Sequence, residues 1–148
     1  MGNEIHEAVH CVIAHYYRIP IERVSIKDDA ECVLGGIVQT EREYMDLINF
    51  LIAPWLYEHE DATGSHDLQR VNELLSHRWG PNPDDMNRVY AKCKAEAESL
   101  LRNPILRRQI EELSRQLLDK ETLLGEQVYE ILNRVCRRRS GAEAGARL

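Results

Sequence analysis

Apolar positions recur at helical spacing along most of this chain and alternate like a strand only over a short stretch after the first helix. Ala8, Val9, Val12, Ile13 and Tyr16 form the first helical stripe, with Asn3 placed as an N-cap and Glu4 and Glu7 in the opening turns. Arg18-Ile19-Pro20 ends that pattern. Val24-Ser25-Ile26, Cys32-Val33-Leu34 and Ile37-Val38-Gln39 then read as strand material around the flexible pair Gly35-Gly36, which predicts a small hairpin or sheet near residues 23–40. From Glu41 to about His59 the pattern is helical again through Tyr44, Leu47, Ile48, Leu51 and Ile52, with Pro54 set to bend or interrupt it. Ser65 can cap a helix from His66 to about Trp79, and Gly80-Pro81-Asn82-Pro83 breaks it. Asp84 and Asp85 open a helix to about Leu101, Asn103-Pro104 opens another to about Leu118, and a last one spans about Glu126 to Cys136. The predicted fold is mainly α with a minor β element. It is expected as one domain over residues 1–136, followed by a disordered polar tail over residues 137–148.

Composition narrows the class without naming a chemistry. A chain of 148 residues, 43% hydrophobic and 30% charged, can bury one real core. A net charge of −6 argues against a general nucleic-acid-binding role, and the Arg137-Arg138-Arg139 triplet reads as a solvated tail. No apolar run reaches the ~20 residues of a membrane span, and Met1-Gly2-Asn3-Glu4 has no signal-peptide character, so a cytoplasmic protein is expected. Cys11, Cys32, Cys93 and Cys136 make no C-x-x-C pair and are expected as free thiols.

Candidate chemistry sits in His6-Glu7-Ala8-Val9-His10. Positions i and i+4 lie above one another on a helix, so His6 and His10 can share one metal ion, while Glu7 can deprotonate a water held there. His15 falls nearly opposite His6 around the helix, and the position ten residues after His6 is Tyr16, so neither extends the ligand set. A catalytic zinc takes three protein ligands and leaves one position open. The residues leave six candidates for the third: Glu58, His59, Glu60, Asp61, His66 and Asp67.

These motifs, taken in order, resemble the peptidase domain of the FtsH family, membrane-anchored zinc proteases that carry an AAA-type ATPase. His6-Glu7-Ala8-Val9-His10 is similar to its H-E-A-G-H, and Arg23-Val24-Ser25-Ile26 with Leu34-Gly35-Gly36 stand where it has a strand and a Leu-Gly element. Thr63-Gly64-Ser65-His66-Asp67-Leu68 is close to its T-G-A-x-N-D-L, and Leu117-Leu118-Asp119-Lys120-Glu121-Thr122-Leu123-Leu124-Gly125-Glu126 resembles its late L-L-x-x-E-T-L-x-G-x-E. The resemblance runs over roughly residues 5–133 and implies a multi-helix zincin-like domain. It further implies Zn2+ held by His6, His10 and Asp67, Glu7 as general base, and a strand around Leu34, Gly35, Gly36, Ile37 and Val38 that pairs with an extended peptide. Val9 replaces a family glycine, Trp55-Leu56-Tyr57 is bulkier than its counterpart, Glu58 becomes a supporting group, and His66 replaces an asparagine. No G-x-x-x-x-G-K-[ST] segment is present. The implied function is a zinc metalloendopeptidase acting without ATP on flexible or unfolded polypeptides, with a separate unfoldase or a homo-oligomer as possible partner. The alternative is a zinc-binding interaction or regulatory module with little or no activity on the same fold.

Overall fold

The structure, a computed structural model, describes the backbone of residues 3–147 and the side chains of residues 3–136. Its elements are α1 (Asn3–Tyr16), β1 (Ile21–Ser25), β2 (Glu31–Leu34), α2 (Glu41–Tyr57), α3 (His66–Trp79), α4 (Pro83–Leu100), α5 (Pro104–Lys120), β3 (Thr122–Leu124) and α6 (Gly125–Arg147). The mainly helical fold with a small sheet is therefore as expected. The tail expected over residues 137–148 lies outside the described side chains.

Helix α1 is the hub. Every residue from Glu7 to Ala14 is buried, because α2, α5, the sheet and α6 pack around it from several sides. A helix enclosed in this way needs more than one apolar stripe, which is why Cys11 and Ala14 are as buried as Val12 and Ile13. Tyr16, expected in the buried stripe, is half exposed instead, since the packing ends one turn earlier. Val9 is fully enclosed in the core.

The helix boundaries follow local chemistry. Thr40 and Glu43 form a capping box at the start of α2, Ser65 accepts from Leu68 N–H at 3.0 Å to start α3, and Asn82 and Asn103 cap α4 and α5 just before a proline. Pro54 does not end α2, which continues for one more turn to Tyr57.

The sheet has the order β2-β1-β3, antiparallel throughout, with Val24 of β1 facing Cys32 on one side and Leu123 on the other. Strand β3 arrives from far along the chain, and no alternation in its three residues announces it. Two expectations are corrected here. Ile37-Val38-Gln39 is not a strand, because Gly36 adopts a φ of +86° and turns the chain out of the ladder after the Gly35 N–H bonds to Pro20 O at 2.8 Å. The edge strand is therefore Glu31–Leu34, and of the segment Leu34–Val38 only Leu34 belongs to it.

Candidate metal centre

Three elements meet at the site: the first half of α1, the last two turns of α2, and the first turn of α3. His6 and His10 face the same direction one helical turn apart, as their spacing requires. Asp67 comes from the first turn of α3, where Ser65 fixes the helix start and the free N–H groups favour a negative charge.

The convergence is close. The Nε2 atoms of His6 and His10 lie 3.2 and 3.3 Å from Oδ2 of Asp67. The ligand set His6, His10 and Asp67 places one donor atom from each residue within 4.8 Å of the others. Zinc–nitrogen bonds of ~2.0–2.1 Å at tetrahedral angles separate ligand atoms by about 3.3 Å, so both histidine–aspartate spacings already suit such an ion. Two imidazoles and a carboxylate are also the donor set of a catalytic rather than a closed structural zinc.

Hydrogen bonds behind these groups fix their orientation. His10 Nδ1–H donates to the carbonyl of Phe50 at 2.9 Å. A carbonyl can only accept, so Nδ1 carries a proton and Nε2 is the atom turned toward Asp67. Nε2 stands 3.3 Å from a carboxylate oxygen, a spacing that either a proton on a charged ring or a metal ion between the two atoms satisfies. Trp55 Nε1–H donates to the same oxygen of Asp67 at 2.9 Å, and its ring meets His6 edge-on at 5.1 Å. Glu58 stands 4.0 Å from His6 Nδ1, behind the ring rather than among the converging atoms.

Charge states respond accordingly. Burial alone would raise the pKa of Asp67, but hydrogen bonds from His10 and His6, the His10 charge and the Trp55 N–H outweigh it and hold the carboxyl well below its usual range. For His6, burial pulls downward, while the hydrogen bond to Asp67 and the nearby carboxylates of Glu7, Asp67 and Glu58 lift the net value above normal. Glu7 is 5% exposed and its pKa is raised, chiefly by burial, with His10 and His6 opposing.

Glu7, His6, His10 and Asp67 line one cleft of 550 Å³, whose far wall is Ala30, Glu31 and Cys32. The unpaired edge of β2 thus reaches the site through residues 30–32. Residues Leu34, Gly35, Gly36, Ile37 and Val38 instead wall a neighbouring cavity of 470 Å³ with Pro20, Leu47 and Phe50. The two spaces share Cys32, Phe50 and Leu51. His15 lies away from the site against Tyr129, with ring centroids 5.6 Å apart. His66 is exposed at the cleft rim, and Asp61 is occupied in holding Thr63. Phe50 was not legible as a site residue, because a backbone carbonyl leaves no mark in a side-chain motif.

No family model matches the chain, and no curated protein matches it.

Proposed function

We propose that this protein is a zinc-dependent metalloendopeptidase, with His6, His10 and Asp67 holding the ion and Glu7 acting as general base. The observation that carries this reading is the meeting of two Nε2 atoms and a carboxylate oxygen, from residues up to 61 positions apart, beside a nearly buried glutamate in an open cleft. Bound zinc would supply Lewis acidity, polarising a peptide carbonyl and making water acidic enough to react near neutral pH. Glu7 would take the proton from a water so activated and hand it to the departing amine. Its raised pKa suits both tasks, since a base closer to neutral holds a proton more firmly and still releases it. The free edge of β2 at residues 30–32 can pair with an extended substrate backbone, which favours flexible or unfolded polypeptides over folded ones. An FtsH-type peptidase working without ATP, in the cytoplasm and alone or with a separate unfoldase, fits these features. Among the described residues no helix is long and apolar enough to cross a membrane.

A second reading, a zinc-binding regulatory module that cuts nothing, draws support from Trp55, whose indole packs on His6 and ties down Asp67. Elemental analysis and hydrolysis of a labelled unfolded protein separate the readings. The peptidase should hold about one zinc per chain, lose it in Asp67→Ala, and in Glu7→Gln keep it while hydrolysis falls ~100-fold or more. Zinc without hydrolysis in the native protein would select the regulatory module. Absence of zinc after reconstitution would overturn both.

A further inference from the structure

A proline at residue 54 removes the N–H that would otherwise bond to the carbonyl of residue 50, four positions earlier in α2. Phe50 O is thereby left without its helical donor in a buried part of the molecule, where an unpaired carbonyl is costly. It accepts instead from His10 Nδ1–H at 2.9 Å. The His10 ring also lies against the Phe50 ring, with centroids 4.4 Å apart, so position and tilt are both constrained. The helix runs on past the proline, with Glu58 N–H bonding to Pro54 O at 3.1 Å.

We propose that Pro54 is a positioning residue for the metal centre: by vacating the Phe50 carbonyl, it sets the tautomer and orientation of His10 so that Nε2 is the atom offered to the ion. The proposal deepens the metalloprotein reading and rests on it for the ion, but not for the tautomer. With an ordinary residue at 54, its N–H competes for Phe50 O, the carbonyl turns back into the helix, and the constraint on Nδ1 weakens. Outer partners of metal-bound histidines generally matter at this level, affecting affinity by ~10–100-fold.

The test compares the native protein with Pro54→Ala, and with a chain carrying the α-hydroxy analogue of alanine at 54, which also lacks the N–H. Imidazole 15N shifts of the metal-free proteins give the His10 tautomer, and competition against a chelator gives zinc affinity. The native protein should show Nδ1–H at His10. Pro54→Ala should lose that preference and bind zinc about tenfold or more weakly, and the α-hydroxy form should recover both. An unchanged tautomer and affinity in Pro54→Ala would overturn the proposal. So would a loss that the α-hydroxy form fails to recover, since only the ring would then matter. Should Pro54→Ala fail to fold, the native and α-hydroxy forms must still share the Nδ1–H tautomer, and a difference between them overturns the idea. If the native protein bound no zinc, the metal reading would fall while the tautomer comparison still decided the role of Pro54.

Discussion

Trp55 illustrates how much of the candidate centre lies one step behind the donor atoms. Its indole N–H holds Oδ2 of Asp67 at 2.9 Å, on the oxygen both histidines face. Trp55→Phe keeps an aromatic body beside His6 but removes that donor. Zinc affinity should fall about tenfold with the fold retained, as measured by chelator competition and circular dichroism. Equal affinity would show that the indole merely packs. At this scale the sequence was informative about side chains and silent about their backbone partners. His6, Glu7 and His10 were visible from spacing alone. Asp67 stood among six candidates until the resemblance favoured it, and in the structure Asp67 is the one that meets both Nε2 atoms.

At the scale of elements, the closest approach at any described glycine falls where β3 turns into α6. A Cβ at Gly125 would lie 1.9 Å from the carbonyl oxygen of Ile21 and 3.0 Å from its carbon. Both neighbours are backbone of the central strand, so no side chain can swing aside. Gly125→Ala should therefore cost about 1–3 kcal/mol or more, read as a lower urea midpoint with an unchanged slope. Its effect should reach zinc binding only weakly, since β1 and α6 stand behind α1 rather than in the cleft. A midpoint equal to the native one would mean that α6 can move off β1. The helices were legible because caps and prolines are local signals: Ser65, Asn103 and Pro104 act within one turn. Strand boundaries were less so. The ladder ends at Leu34 because Gly36 turns the backbone, and β3 exists only because β1 offers it an edge.

For the whole molecule, the buried charges tie stability to pH in a way that metal binding should reverse. His6 has a pKa above that of an unfolded histidine, so its contribution is complete below about pH 6.5 and fades as pH rises through the folded value. Asp67 has a pKa below that of an unfolded aspartate, so its contribution is complete above about pH 3.9 and fades as pH falls through the folded value. The metal-free protein should gain most from this pair between about pH 4 and 6.5 and lose that gain as pH rises through the folded value of His6. Asp67→Asn should flatten both limbs. Zinc should instead stabilise increasingly as pH rises, because protons compete for its ligands. Melting temperatures against pH, with chelator and with zinc, check this, and parallel curves for the native protein and Asp67→Asn would refute it.

The sequence by itself determined the helices, their caps, and the pairing of two histidines with a glutamate on one turn, because each depends on residues within a few positions of one another. Tertiary structure decided what stands around them. Which carboxylate closes the site, which carbonyl orients His10, which residues of β2 border the cleft, and that Tyr16 faces solvent all depend on segments that meet only after folding. Packing selects those partners, and no local periodicity encodes it.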